Sequence, residues 1–128
     1  LAASNLRTLG YEADMPAAPD LDVIRGTLDL LILKALSWGP MHGLGVLRWI
    51  EQGSRQKLQI EEGALYPALH RMAQKGWLDS EWGYSDQGRK ARFYRLSTAG
   101  RKQLAAELSR WSRYTDAVGL VLAAEPAR

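Results

Sequence analysis

Hydrophobic residues recur at helical spacing in three stretches of the first half of the chain. In the first stretch, Ile24, Leu28 and Leu31 follow one another at steps of four and three residues, which is the spacing of one helix face. This stretch ends before Pro40, which cannot continue a helix. The three predicted helices cover residues 21–37, 43–53 and 62–75.

Residues 77–96 alternate between apolar and polar positions instead. Leu78 and Trp82 alternate with acidic side chains, and Phe93 alternates with its neighbours in a second run. The polar turn between the two runs contains Gly88, which is free to adopt a positive φ. These patterns predict a β-hairpin after the third helix. The predicted strands cover residues 58–60, 77–84 and 91–96.

A last helical stretch opens at Ser97 or Thr98, and either hydroxyl suits an N-cap. Its inward positions step by four and three residues in turn, which is the heptad pattern of a helix that pairs with another helix. The pattern therefore predicts that this helix joins two copies of the chain in a homodimer. The predicted dimerisation residues are Leu104, Leu108, Trp111, Thr115, Val118 and Leu122.

The order of these elements is that of a winged helix-turn-helix domain followed by one long helix. We expect a mostly α fold with a small β-hairpin and a long C-terminal dimerisation helix. The predicted segments are a flexible arm at residues 1–19, the winged helix-turn-helix domain at 20–97, the dimerisation helix at 98–124 and a tail at 125–128.

Charge is distributed unevenly along the chain. Lys and Arg number 17 against 14 Asp and Glu, a net charge of +3. Residues 85–102 contain six basic residues and one acid, so this segment carries +5 and the remainder −2. A basic stripe on a nearly neutral protein favours a surface that faces a polyanion. The alternative is a solvated charged face.

In a winged helix-turn-helix domain the third helix enters the major groove and the hairpin lies along the backbone or in the minor groove. On that helix Ala64 and Pro67 suit contact with a thymine methyl, while Tyr66 donates its phenol or packs on sugar. The other outward positions include Ala68. The predicted DNA contacts are Ala64, Tyr66, Pro67, His70 and Arg71 in the helix, and Arg89, Lys90 and Arg92 in the hairpin.

Other classes of function find little support in the sequence. The absence of cysteine excludes disulfides, cysteine-ligated metal and thiol catalysis. His42 and His70 lack the third ligand and the spacing of a metal site, so we expect no metal and no cofactor. No catalytic constellation or phosphate loop is present, so no enzyme is predicted. No apolar run reaches the about 18 residues of a membrane span and no signal-peptide pattern occurs, which favours a cytoplasmic protein.

Several blocks of the sequence resemble the PadR family of bacterial transcriptional regulators. They are RGTLDLLILKAL at residues 25–36, GPMHG at 39–43, EGALYPALHR at 62–71, KGWL at 75–78 and RFYRLSTAG at 92–100. The resemblance implies a dimeric winged-helix repressor that binds a pseudo-palindromic DNA operator with its third helix and wing. The single C-terminal helix is similar to the short-tailed subfamily, some of whose members bind flat aromatic compounds at the dimer centre.

Within that subfamily the resemblance implies that Trp111 stacks on a planar aromatic effector. The alternative is a core or interface tryptophan, since large aromatic side chains mostly bury area. The chain departs from the family at Leu44, where an aromatic residue is frequent, and at the hairpin tip, which lacks a pair of asparagines. The second departure limits the transfer of wing contacts to the basic residues.

A winged helix used only for protein contacts is the rival interpretation, because a fold alone does not fix a function. In that case the basic hairpin is merely solvated. The other four tryptophans are expected to pack inside the protein; they are Trp38, Trp49, Trp77 and Trp82.

Overall fold

A computed structural model describes residues 21–22 and 26–127. Within these residues the helices are α1 (Leu28–Leu36), α2 (Gly43–Gly53), α3 (Glu62–Gln74) and α4 (Thr98–Ala123). The strands in the same part of the chain are β1 (Leu21–Asp22), β2 (Met41–His42), β3 (Leu58–Gln59), β4 (Leu78–Tyr84) and β5 (Lys90–Leu96). The predicted fold class, a winged helix-turn-helix followed by a long helix, is confirmed. The predicted arm at residues 1–19 lies outside the described residues.

The first helix begins later than predicted. Leu21–Asp22 is extended and pairs in parallel with β3, and the chain then reaches Gly26 at a φ of +95°. A helix cannot run through a residue of positive φ, so α1 starts at Leu28 with Thr27 as its N-cap residue. The prediction of a helix from residue 21 is therefore wrong.

The core lies between α1, α2, α3 and the base of the hairpin. Ile32, Leu33 and Leu36 of α1 pack in one cluster with residues of α2 and α3. Tyr94 and Leu96 of β5 close the cluster from the sheet side. The remaining buried members are Ala35, Val46, Ile50, Ile60, Leu65, Ala68, Leu69, Met72 and Leu78.

Ala68 is a member of this core and not an outward residue of α3, so that expectation is wrong. It directly precedes Leu69, another member of the cluster, so the buried face of α3 is wider than the sequence pattern predicted.

Residues Met41 and His42 form a short strand that the sequence pattern did not predict. They pair antiparallel with β5, and the sheet order is β2-β5-β4. His42 is also the N-cap of α2, because its Nδ1 accepts a hydrogen bond from the Gly45 amide over 3.1 Å. The imidazole contacts the Phe93 ring in an edge-to-face arrangement, with 5.4 Å between the two ring centroids. One residue thus fixes the start of α2 against the hairpin.

The hairpin, called the wing below, agrees with the predicted strands to within a residue at each start. Leu78 pairs with Leu96 at its base and Tyr84 pairs with Lys90 near its tip. The Gly88 amide donates to the Ser85 carbonyl over 2.8 Å, and Gly88 has a φ of +76°. The turn therefore needs glycine at this position.

The α4 helix opens on the predicted cap. The Ser97 hydroxyl accepts a hydrogen bond from the Gly100 amide over 3.0 Å and donates one to the Gly76 carbonyl over 2.5 Å. Leu104 packs partly against the core of its own chain. From Leu108 onward the helix is exposed. In the described part of the chain, no helix is both long enough and apolar enough to cross a membrane.

The four tryptophans that were expected to pack inside the protein divide into two groups. Trp49 and Trp77 pack against the core, as expected. Trp38 and Trp82 are 70% and 62% exposed, so the expectation that they pack inside is wrong for these two. Both rings instead lie beside cationic side chains, with Lys34 Nζ at 5.2 Å from the Trp38 ring centroid.

Candidate nucleic-acid interface

Tyr66 on α3 lies against the start of α2. A Cβ at Gly43 would come within 2.5 Å of Tyr66 Cε1, so only glycine leaves room for the ring in this position. The ring also lies near Tyr94 of the wing base, and 44% of the residue remains exposed. The phenol is therefore held between α2, α3 and the sheet with one side open to solvent.

The environment of Tyr66 keeps its hydroxyl protonated. Burial raises the pKa of Tyr66 above its ordinary value of 10.0, and the Glu62 carboxylate and the neighbouring Tyr94 raise it further. At neutral pH the side chain is a phenol, which both donates and accepts hydrogen bonds.

The wing carries the basic side chains predicted for it. Lys90 Nζ lies 5.1 Å from the centroid of the Trp82 ring, and Arg92 Cζ lies 5.7 Å from it. Arg92 Nε donates a hydrogen bond to Ser80 Oγ over 3.0 Å. The backbone amide of Arg89 donates to Ser85 Oγ over 3.3 Å, at the turn itself. Arg89, Lys90 and Arg92 are all exposed.

A cleft of about 440 Å³, called the wing cleft below, lies between the start of α2, α3 and the wing. Of the predicted DNA contacts, Tyr66, Arg89, Lys90 and Arg92 line it together. The α3 helix and the wing thus present a phenol and three predicted cations to one open space. The other lining residues are His42, Gly43, Leu44, Arg48, Trp82, Ser85, Gln87, Ala91 and Tyr94.

The remaining predicted contacts on α3 are exposed but do not line the wing cleft. Ala64, Pro67 and His70 form part of the open surface of the helix. Arg71 is exposed, but its guanidinium group is hydrogen-bonded to another residue of the protein. Its Nη2 donates to Asp29 Oδ1 of α1 over 2.5 Å. The structure therefore separates Arg71 from the basic wing residues.

Sequence reasoning missed two residues of the wing cleft. One is Arg48, which is exposed on α2 and was not among the predicted DNA contacts. It follows Leu44 by four residues, so both side chains lie on the same face of the helix and both line the wing cleft. Trp82 was assigned to packing. The signal for Trp82 was its place in a strand opposite Arg92, which can be recognised only once the strand register is known.

A second concave surface, called the α1–α4 groove below, surrounds Trp111. It measures about 270 Å³ and opens beside the start of α1. Trp111 is 41% exposed, and its ring lies 6.4 Å from that of Tyr114 at an interplanar angle of 34°. The lining residues are Gly26, Thr27, Leu30, Glu107, Arg110, Trp111 and Tyr114.

Across residues 26–127 and the short strand at 21–22, no three His, Asp or Glu side chains come together as a candidate metal site.

A recognition helix and a basic wing that share one cleft define the class of winged-helix DNA-binding proteins. The sequence model described as "Transcriptional regulator PadR-like family" matches residues 32–106. The chain belongs to this family, and it is a DNA-binding transcriptional regulator.

Individual relatives agree with this membership. A transcriptional regulator of Mycobacterium tuberculosis is 37% identical over 84 residues, which are 65% of this chain and 74% of that protein. A solved transcriptional regulator from Clostridium thermocellum is 26% identical with a TM-score of 0.69, covering 76% of this chain and 94% of its own. A PadR family regulator from Eggerthella lenta has a similar fold, with 24% identity, a TM-score of 0.67 and 97% of each chain covered.

Proposed function

We propose that the protein is a homodimeric repressor that binds a pseudo-palindromic DNA operator and is released from it by a planar aromatic effector. The observation that carries the DNA-binding part of the proposal is the wing cleft, where Tyr66 of α3 and the cations of the wing open to the same side. The repressor role follows from the resemblance to the family.

The two halves of the interface have different tasks in this proposal. Exposed residues of α3 contact base edges, where hydrogen bonds and apolar contacts distinguish one sequence from another. The wing cations neutralise phosphates, which supplies affinity that depends on salt but not on sequence. The proposed contacts are Ala64, Tyr66, Pro67, His70 and Arg71 for bases, and Arg89, Lys90 and Arg92 for phosphates.

The exposed apolar side of α4 supports a homodimer. A single chain leaves Leu108, Trp111, Val118 and Leu122 accessible, although helices of globular proteins bury such a stripe. Pairing of this stripe with that of a second copy covers it. A dimer then carries two α3 helices, which suit half-sites about one helical turn, or about 34 Å, apart.

The α1–α4 groove supports the effector part of the proposal. Trp111 presents an exposed aromatic face there, and flat aromatic rings stack on such a face. Because Leu30 of α1 and its N-cap residue Thr27 line the same groove, an effector bound there contacts the helix that packs against both α3 and α4. Release follows when the bound form favours a different spacing of the two α3 helices.

The test is fluorescence anisotropy with two labelled duplexes at several salt concentrations. One duplex carries the chromosomal DNA upstream of the gene, and the other carries the same bases in scrambled order. The proposal predicts tighter binding to the upstream duplex and an affinity that falls steeply with salt. Absence of binding to either duplex at low salt contradicts it and favours a winged helix that contacts protein.

A further inference from the structure

Trp82 lies on the side of the wing that lines the wing cleft. Strand register places it directly opposite Arg92, and places Tyr84 opposite Lys90. Residues directly opposite each other in an antiparallel pair project to the same face of the sheet. The indole, the ammonium group and the guanidinium group therefore share one face, and they line the same cleft.

Both cations lie over the indole of Trp82. Their distances to the ring centroid, 5.1 Å for Lys90 Nζ and 5.7 Å for Arg92 Cζ, are within the range of a cation–π interaction. Arg92 Nε is also bound to Ser80 Oγ over 3.0 Å. This hydrogen bond orients the guanidinium group and leaves its two terminal nitrogens for another acceptor.

Neither cation is paired with a carboxylate in the part of the chain that the structure describes. In residues 26–127 the ion pairs join Arg71 to Asp29 and Arg95 to Asp79, and no carboxylate pairs with Lys90 or Arg92. Two like charges over one ring repel each other, and an anion that enters the cleft relieves the repulsion. The arrangement is thus suited to an external anion.

We propose that Trp82 is a positioning residue for DNA binding, whose indole holds Lys90 and Arg92 in place to bind backbone phosphates of duplex DNA. The inference rests on the proposed function and extends it to a residue outside the recognition helix and the basic tip. Long side chains that are ordered before binding lose less conformational freedom when the complex forms. The ring therefore strengthens phosphate contacts without touching a base.

Four variants test the proposal in the full chain: Trp82→Leu, Trp82→Phe, Trp82→Thr and the control Trp38→Leu. Trp82→Leu removes the ring and keeps an apolar side chain, while Trp82→Phe keeps an aromatic face. Trp38→Leu is the matched control, because Trp38 is also exposed and also lies under a cation, Lys34, but does not line the wing cleft. The probe is the duplex upstream of the gene, measured by anisotropy at several salt concentrations.

Trp82→Leu is expected to bind the duplex about tenfold more weakly than wild type. The reason is that Lys90 and Arg92 would then be free before binding and would lose more conformational freedom when the complex forms. Its slope of log affinity against log salt is expected to become shallower by about one phosphate contact. Trp82→Phe and Trp38→Leu are expected to keep the affinity and slope of wild type. Trp82→Thr, a second ringless strand former, is expected to match Trp82→Leu and excludes a defect peculiar to leucine.

The outcomes separate this inference from the proposed function. Wild-type affinity and slope in both ringless variants would overturn the role of Trp82 while leaving DNA binding intact. An equal loss in Trp82→Phe would also overturn it, because an aromatic face would then be insufficient. Failure of wild type to bind either duplex would overturn the proposed function and this inference together.

Discussion

Arg71 of α3 donates a hydrogen bond to Asp29 of α1, with 2.5 Å between Nη2 and Oδ1. The pair connects the helix proposed to read DNA with α1, whose N-cap Thr27 and helical residue Leu30 line the α1–α4 groove. α1 therefore contacts both the proposed DNA-reading helix and the proposed effector site. A carboxylate that holds Arg71 also competes with DNA for its guanidinium group.

Asp29→Asn removes this competition with little change in shape. We expect the free energy of unfolding to fall by less than about 1 kcal/mol, because partly exposed ion pairs contribute little. We expect affinity for the upstream duplex to rise, and Arg71→Ala to abolish the gain. Thermal unfolding and anisotropy measure the two effects. Asp79→Asn, which removes a carboxylate facing Arg95 at 3.9 Å, is the control and is expected to leave affinity unchanged.

An unchanged affinity in Asp29→Asn would show that Arg71 does not contact DNA. Arg71→Ala in the wild-type background is expected to reduce the preference for the upstream over the scrambled duplex. Uniform weakening on both duplexes would instead assign Arg71 to a phosphate.

Gly43→Ala tests the position of Tyr66. The added methyl would lie 2.5 Å from Tyr66 Cε1, so the ring must move out of the wing cleft. We expect the free energy of unfolding to fall by about 1–3 kcal/mol, as for other overpacked sites, and DNA affinity to fall with it. Gly45→Ala is the matched control, since its methyl would meet the His42 ring at an ordinary 3.6 Å. Equal DNA affinity in the two variants would contradict a role for Tyr66.

Val118→Lys tests the proposed dimer. It places a charge in the heptad stripe of α4, and we expect it to weaken dimerisation by about 2 kcal/mol, or about thirtyfold. Leu120→Lys adds the same charge outside the stripe, at a residue that is 74% exposed, and is expected to leave the dimer intact. Sedimentation equilibrium of both variants measures the difference. Wild-type protein that sediments as a monomer at high concentration would rule out the homodimer.

Alkaline pH tests the environment of Tyr66. Its pKa is raised by burial and by Glu62, so the unfolded chain releases this proton at a lower pH than the folded chain. The resulting stability is present below about pH 10 and is lost as the pH rises through the raised pKa. Chemical unfolding across this range is expected to show a steeper loss in wild type than in Tyr66→Phe. The same pH dependence in both would contradict the raised pKa.

The local patterns of the sequence predicted most of the fold. Helical spacing located α2, α3 and α4, and alternation with a Gly88 turn located the wing. The start of α1 was missed because hydrophobic spacing continues from Ile24 through the break at Gly26. β1 and β2 were missed because their partners lie about 35 and 50 residues away, and two-residue strands carry no period of their own.

The candidate site was predicted only in part, because some of its contacts join residues that are distant in the sequence. The basic residues at the hairpin tip and the tyrosine in the third helix can each be predicted from the local sequence of one element. The pairing of Arg71 with Asp29 and the stacking of Lys90 on Trp82 join elements that are distant in the sequence or depend on exact strand register. Those contacts required the assembled fold.

If the wing binds the phosphates of duplex DNA, the salt dependence of DNA affinity must decrease when the wing cations are removed. The measurement is the slope of log affinity against log salt on the upstream and scrambled duplexes. It compares wild type with the wing variant, which combines Arg89→Ala and Lys90→Ala. The control variant combines Arg101→Ala and Lys102→Ala, which removes two positive charges from α4. For the wing variant only, the slope is expected to be shallower on both duplexes, by the amount that corresponds to about two phosphate contacts. A wild-type slope in the wing variant, or an equal change in the α4 variant, would contradict it.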